Sequence, residues 1–401
     1  MERGIDIAVL SGVMGAQDDR FTHLRLLPWG PSGFGFDMRQ LARQHWGRDW
    51  RYRIFSVFQA CILLPFVIIE RLLFGLQSQW SWALAAVFRS LILIRKRRPA
   101  VIYSTGGAYS AHLAGYWLRK LTGITWIAEV HDPMVVEDAN PNRNTKFVAG
   151  LESNICRHAD LAWWFTDEAL NSARTRNPEL GERGITILPG VEKLPSSAVY
   201  QRGSQMIISY FGLLADTRSM LPVVQAVATL LERDPEIRNT MLFHIYGGSI
   251  DGMAEKEIAR LGLGDLFICF GRLEYSAATG KSGREQVIDK MYQADCLLLL
   301  HGNVDACREY IPSKFYEYLW AGRPIIALTY LNPQLNQMLL DRNAYVADVN
   351  NLDEIFNAIA AAHSDWQMYN LQLTVLPAIG VRQSVDAIFN HLDSLLCRID
   401  V

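Results

Sequence analysis

The sequence predicts an α/β fold in two halves, each built on a parallel sheet. Three observations carry this. Short apolar runs alternate with longer helical stretches along the whole chain, as βαβ units require. The segment Pro189–Gly203, with its Pro, Gly and Ser, reads as a linker between the halves. The 401 residues are 50% hydrophobic and 20% charged, enough for two or three domains with sizeable cores and too apolar for a disordered chain.

In the first half the strand-like runs are Ile5–Leu10, Val101–Ser104, Trp126–Val130, Leu161–Phe165 and Ile185–Leu188. Between the first two lie two apolar stretches. Ile54–Ile69 contains Ser56, Gln59 and Pro65, is bounded by Arg53 and Glu70, and is expected to fall short of the ~20 residues needed to cross a membrane. Trp80–Ile94 is cut by Arg89 and followed by Arg95, Lys96, Arg97 and Arg98. Two readings stay open. Both stretches lie on an anionic membrane face with Trp80, Trp82 and the basic cluster, or both pack on a sheet and the cluster is a solvated helix end. In the second half the runs are Met206–Phe211, Met241–Tyr246, Leu266–Phe270, Cys296–Leu300, Pro324–Leu328 and Ala344–Ala347. The tail Ser384–Cys397 has Val385, Ile388, Phe389, Leu392 and Leu396 at helical spacing. The expected divisions are residues 1–195, 204–375 and a final helix within 376–401.

A formal net charge of −2 gives no drive toward nucleic acid. Six scattered cysteines, Cys61, Cys156, Cys269, Cys296, Cys307 and Cys397, form no C-x-x-C and are expected to be buried, reduced thiols of a cytoplasmic protein. Glu2, Arg3 and Asp6 break any apolar signal at the start.

The richest segment is EYIPSKFYEYLWAGRPIIAL, residues 309–328. Pro312 and Ser313 open a helix, Gly322 and Pro324 close it, and a buried strand follows. Glu309 then lies in the preceding loop and Glu317 one turn inside the helix. The first amides, near Ser313 and Lys314, carry the positive end of the dipole and can bind a phosphate without a metal. Lys314 either adds charge there or is a solvated lysine. Gly106-Gly107, after a strand, allow close approach of a ligand or serve a tight turn. Gly247-Gly248 and Gly271-Arg272 also follow strands, as ordinary strand-to-helix turns do. Thr279-Gly280-Lys281-Ser282 lacks the first glycine of a P-loop, Gly33-Phe34-Gly35 lacks the third glycine of a dinucleotide fingerprint, and no D-x-D metal signature occurs.

Residues 309–328 resemble the signature of retaining family 4 glycosyltransferases of the GT-B fold, and the likeness extends from about Ile5 to the final helix. It implies two Rossmann-like domains facing a cleft, with the C-terminal helix returning to the N-terminal, acceptor-side domain. Ile5–Leu10 is similar to the family's second strand, so the first strand and its glycine-rich loop are expected to be missing. Tyr210–Ser219 is similar to the donor-diphosphate loop. Gly212 is kept, Leu213 stands where an arginine is usual, and Arg218 stands near the usual lysine. The resemblance implies that Glu309 orients the donor sugar and that His131, ahead of Asp132 at a strand end, faces it. Glu317 would hold the ribose hydroxyls. Arg218, Lys314, Ser313 and Gly212 would hold the diphosphate, with Arg272 near the base. Gly106, Gly107 and Asp132 would lie on the acceptor side. No cofactor or metal is implied. The donor is a nucleotide-sugar substrate, and the expected partners are that donor and a saccharide or lipid-linked acceptor, with peripheral membrane contact. A nucleotide-sugar epimerase of the same fold and a non-catalytic sugar-nucleotide-binding partner are the alternatives.

Overall fold

The computed structural model describes residues 4–399 except 16, 48, 77, 78, 108, 136–139, 194, 197 and 372–378, with side chains to residue 395. The chain divides into two compact units: residues 1–165 with 169–186, and residues 166–168 with 187–401. Residues 376–378 of the expected C-terminal segment, the boundary at 375, and the side chains of Leu396 and Cys397 fall outside the described residues.

The first unit runs β1 (Ala8–Gly12), β2 (Thr22–Leu26), α1 (Pro31–Trp46), α2 (Trp50–Leu73), α3 (Trp82–Arg97), β3 (Val101–Gly106), α4 (Tyr109–Thr122), β4 (Thr125–Val130), α5 (Arg143–His158), β5 (Leu161–Trp164), α6 (Asp167–Arg176) and β6 (Gly184–Thr186). Strands β3-β4-β5-β6 form a parallel sheet in chain order. Its core packs Trp126, Trp164, Leu151 and Ile155 against Ala83 and Ala86 of α3. So α3 buries Ala83, Ala85 and Ala86, while Phe88 on the same helix is exposed. The basic cluster is exposed at its end, where Arg97 bonds Asp6 and Thr22.

Two expectations change. The run Ile5–Leu10 becomes β1, which starts three residues later and ends two later, and pairs in parallel with β2 in a separate two-stranded sheet rather than joining the four. The stretch Ile54–Ile69 belongs to α2, a helix of 24 residues. Its flanking charges do not end it. Asp49 caps its start by accepting from the Tyr52 amide, and Arg53, Glu70 and Arg71 lie within it. Among the described residues it is the one helix long and apolar enough to cross a membrane by length and composition, and 6% of its most apolar stretch is buried.

The second unit runs β7 (Met206–Gly212), α7 (Leu221–Arg233), β8 (Met241–Gly247), α8 (Gly252–Leu261), β9 (Phe267–Gly271), α9 (Gly283–Gln293), β10 (Cys296–Leu300), α10 (Ser313–Ala321), β11 (Ile325–Thr329), α11 (Pro333–Leu340), β12 (Tyr345–Asp348), α12 (Leu352–Gln367) and α13 (Val381–Ile399). Its six parallel strands lie in the order β12-β11-β10-β7-β8-β9. Counted from β7, that is the doubly wound order 3-2-1-4-5-6, whose direction reverses between β7 and β10. The strands β10 and β11 are buried throughout, as a sheet covered on both faces demands. At the edge, β9 exposes Ile268, Cys269 and Phe270. Cys269 is therefore an exposed thiol, as is Cys61 on α2, whereas Cys156, Cys296 and Cys307 are buried. An apolar run does not reveal that its strand is an edge. At the other end of the unit, α13 is tied through Ser384, whose hydroxyl donates to the Leu188 carbonyl at 2.7 Å.

Candidate functional site

In a doubly wound sheet the ligand crevice opens beyond the strand ends where the order reverses. Here that place is formed by the loops after β7 and β10, which are stitched together. The Asn303 amide donates to the Thr217 carbonyl at 3.1 Å. Arg218 Nη2 donates to the Tyr310 hydroxyl at 3.2 Å, and that hydroxyl donates to the His301 carbonyl at 2.9 Å. His301 is fully buried. Its Nε2–H donates to the Tyr310 carbonyl at 3.0 Å, and its Nδ1 accepts from the Tyr330 amide at 3.4 Å. This fixes a neutral tautomer, and burial holds the imidazole down at about 4. Burial likewise pushes the Tyr310 phenol up to about 12. The loop carrying Glu309 is thus pinned by the neutral His301 and Tyr310, with the Arg218 guanidinium bonded to the latter. Arg218 Nε is buried and has no hydrogen-bond partner among the described residues.

Beside this place, at the ends of β7, β8 and β9, lies a cavity of about 480 Å³ lined by Gly212, Tyr246, Gly247, Arg272, Arg284 and Lys314, among others. Three successive strands finish on an aromatic residue and a glycine: Phe211-Gly212, Tyr246-Gly247 and Phe270-Gly271. The three rings stack, Phe211 on Tyr246 at 5.0 Å and Tyr246 on Phe270 at 4.9 Å. Gly247 cannot be replaced without strain. Its φ is +118°, and a Cβ there would lie 2.6 Å from the Gly212 carbonyl oxygen.

The far wall is α9 and α10. Ser282 and Glu285 form a reciprocal capping box at the start of α9, which sets Arg284 in the first turn. Helix α10 begins at Ser313 after Pro312, with no side-chain cap, and ends at Gly322 in the left-handed conformation. Its Glu317 faces Arg284 (Nη2 to Oε1 2.9 Å, Nη1 to Oε2 3.2 Å) and Lys314 (Nζ to Oε2 2.9 Å). Burial would raise this carboxyl, but the Arg284 hydrogen bonds and the Lys314 charge outweigh it and hold Glu317 below the usual carboxylate range. A carboxylate has about four lone-pair sites, so these three donors leave one on Oε1 for a hydroxyl.

The first unit presents a different surface. His131, at the end of β4, places Nε2 3.0 Å from Thr105 Oγ1 and 3.1 Å from Glu129 Oε1, and its ring stacks on Phe165 at 4.7 Å. Burial would raise Glu129, but hydrogen bonds from His131 and Tyr103 outweigh it and keep it ionised below its ordinary value. Asp132 is exposed, and a Cβ on Gly107 would meet its carboxylate at 2.9 Å. Gly106 has φ +114°, and its carbonyl accepts from Nε2 of the buried His112 at 3.1 Å.

Of the residues singled out in the sequence, Gly212, Arg272 and Lys314 line one cavity, with Glu317 bound to its wall. Arg218 and the half-buried Glu309 belong to the neighbouring strand-end crevice, and Ser313 is exposed at the helix start. His131, Asp132, Gly106 and Gly107 form a separate group on the first unit. The Arg272 side chain is 80% exposed, and among the described residues it pairs with Glu274 at 3.6 Å. Sequence reasoning missed Arg284, Glu129 and the ring stack. The signals were present: a helix start at Gly283-Arg284, the two-residue spacing that puts Glu129 and His131 on one strand face, and the thrice-repeated aromatic-glycine strand end.

No family model matches the chain, and no curated protein matches its sequence. Solved structures do match. TarM of S. aureus, crystallised with fondaparinux, α-GlcNAc-glycerol and UDP, aligns with a TM-score of 0.53 at 13% identity over 80% of this chain; the match spans 58% of the TarM chain. A UDP-forming α,α-trehalose-phosphate synthase from Burkholderia vietnamiensis aligns with a TM-score of 0.53 at 13% identity, over 79% of this chain and 78% of its own. A trehalose-6-phosphate synthase studied for glycosyl transfer with retention aligns with a TM-score of 0.52 at 12% identity, over 79% of each. At such identities the likeness is one of architecture: this chain has the GT-B fold of two Rossmann-like domains.

Proposed function

We propose that the chain is a retaining glycosyltransferase that moves a hexosyl group from a nucleotide diphosphate sugar to an acceptor hydroxyl, without a metal. One observation carries the reading: a cavity at the ends of β7–β9 lined by Arg272, Arg284 and Lys314, beside the uncapped start of α10. Its chemistry suits a diphosphate. Lys314 and the α10 amides offer positive charge where the leaving group becomes more negative, and Arg218, with its buried Nε, offers a further donor from the adjoining loop. Glu317 retains one acceptor site for a ribose hydroxyl. The ring stack gives a base an apolar surface. The matched TarM structure holds UDP in the same architecture, which supports a nucleotide at such a site.

In this reading Glu309 orients the donor sugar near its anomeric carbon and is not a covalent nucleophile. His131, held by Glu129 and Phe165, offers its imidazole to a sugar hydroxyl, and Gly106, Gly107 and Asp132 meet the acceptor. The acceptor would be a cell-envelope saccharide or a lipid-linked one, met from the cytoplasmic side of a membrane. A thermal-shift screen with UDP, GDP and ADP tests the site, because a ligand bound only by the native state raises its melting temperature. No shift with any nucleoside diphosphate sinks the proposal. Donor turnover should also survive excess chelator, and loss of turnover that magnesium or manganese restores would remove the metal-free mechanism.

A further inference from the structure

Helix α2 lies against α1 along one narrow face. Gly35 of α1 meets Leu63 so closely that a Cβ there would lie 3.0 Å from Leu63 Cδ1, and Trp46 packs edge-on against Phe55. The hairpin is clamped at its base. The buried Glu70 accepts from the Ser32 amide at 2.8 Å and from Trp80 Nε1 at 3.0 Å, and Arg143 donates to the Leu72 carbonyl at 2.8 Å. Among the described residues nothing covers the rest of α2: Val57, Phe58, Leu64, Phe66 and Ile69 are all more than half exposed.

At about 100° per residue, the exposed apolar side chains from Ile54 to Leu73 cover an arc of roughly 200°. That is about twice the stripe a helix needs to seat on a neighbour, so a second copy packed on one seam would leave much of it bare. No acidic residue lies in the arc. Arg53 and Arg71 fall together on one of its edges, near its two ends, and Arg51 is beside Trp50 at the start. The exposed charges of the hairpin are basic apart from Asp49, which caps α2. The helix is about 36 Å long, enough to cross a hydrocarbon core of about 30 Å. Crossing would, however, carry α1 into the lipid with it, along with its Asp37, Arg39, Gln40, Arg43 and Gln44.

We propose that α2 is an in-plane docking helix for an anionic lipid surface, its apolar arc sunk to the acyl boundary, Arg53 and Arg71 on the headgroup phosphates, and α1 as its polar backing. This deepens the membrane-side reading of the acceptor, yet it stands or falls apart from glycosyl transfer. It rests on α2 rather than on the basic end of α3, a helix that buries Ala83, Ala85 and Ala86.

The test uses the full chain and vesicles of phosphatidylcholine with and without phosphatidylglycerol. The wild type should sediment with anionic vesicles and less with neutral ones. Arg53→Gln with Arg71→Gln should weaken anionic binding roughly 30-fold at low salt, and Val57→Asn, Phe58→Asn and Leu64→Asn together should abolish it. Both variants should keep the wild-type circular dichroism and nucleoside-diphosphate response, which separates this proposal from the donor site. The exposed Cys61 lies near the middle of the arc. Labelled in a Cys269→Ser, Cys397→Ser chain, its fluorophore should shift blue on vesicles and be quenched more by shallow than by deep nitroxide lipids. Wild type free of both vesicles, binding unchanged in the Asn variant, or deeper quenching, as for a spanning helix, would each overturn the proposal. So would a dimer, dissolved by the Asn substitutions, in a chain that ignores vesicles.

Discussion

The two units end their strands in similar ways but gather different charges there. In the first, β3 finishes on Gly106 with φ +114°, and the buried His112 donates from Nε2 to its carbonyl. Trp126 Nε1 donates to Ser104 Oγ at 2.9 Å, and Ser104 Oγ lies 3.0 Å from His112 Nδ1, so the imidazole is a neutral link in a chain of bonds. In the second, β10 is followed by His301 and by Gly302 with φ +117°, and the neutral His301 holds the next loop through the Tyr310 carbonyl. Burial depresses both imidazoles to about 4. Around these matched supports the side chains part. The first unit gathers Glu129, His131 and Asp132; the second gathers Arg218, Arg272, Arg284 and Lys314. A frame shared by both halves thus carries an acidic or neutral surface in one, and in the other a set of cations of which Arg284 and Lys314 are paired with Glu317 and Arg272 with Glu274. Uncharged hydroxyls suit the former and a diphosphate the latter.

The sharpest way to break this division is to separate turnover from nucleotide affinity. Glu309→Gln should lower turnover about 100-fold or more, on the scale of losing one electrostatic contact in a transition state. The affinity for a nucleoside diphosphate, followed by calorimetry, should change less than twofold. Equal losses in both quantities would move Glu309 into the diphosphate site.

The shared frame predicts a shared response to acid. An imidazole held at about 4 when folded, against 6.5 when unfolded, leaves the native state with fewer bound protons below 6.5. Its contribution is complete above pH 6.5 and is lost as the pH falls toward 4, by roughly 3 kcal/mol for each histidine at most. Melting temperature should therefore drop across that window, and His112→Asn or His301→Asn should each flatten the slope. An unchanged slope in both variants would refute neutral buried imidazoles. Glu317, depressed below 4.5, adds a loss of the same sign below that value.

Next in size is the set of cations on the second unit. Arg284→Ala and Lys314→Ala should each weaken nucleoside-diphosphate binding by about 1.5–3 kcal/mol, the scale of a charge-assisted hydrogen bond. His131→Gln, on the other unit, should leave that affinity unchanged and lower kcat/KM for the acceptor. An affinity loss in His131→Gln as large as in Lys314→Ala would erase the contrast between the units. The smallest effect belongs to the exposed Arg272. Its replacement by Ala should cost less than about 0.5 kcal/mol of nucleotide affinity, and a larger loss would show that it folds over the ligand.

Much of this arrangement was legible in the chain. The window at residues 309–328 gave the start of α10 at Ser313 and its end at Gly322 because Pro and Gly act locally on the backbone. The apolar runs located most strands for the same local reason. What escaped depends on partners distant in sequence. Arg284 acquires its role only when α9 meets Glu317, 33 residues on. The polar-studded β2 segment Thr-His-Leu-Arg-Leu became a strand only through its pairing with β1. The exposure of Cys269 follows from the edge position of β9, which sheet order decides. The length of α2 was underestimated because Arg53 and Glu70 look like ends, although a charged side chain does not interrupt a helix, and here even Pro65 lies within it.

The exposed hairpin has a consequence for how the protein is made. Chains emerge N-terminus first, and their parts fold in that order. Helices α1 and α2 meet through contacts close in sequence, which form quickly. They are complete before Val101 begins the four-stranded sheet, and α2 has no surface to await in that sheet. Its apolar face is therefore as bare on the growing chain as on the finished protein. If α2 docks as proposed, synthesis close to a lipid surface would let the helix settle there while both larger sheets are still unmade, so that docking would precede folding of the rest of the chain.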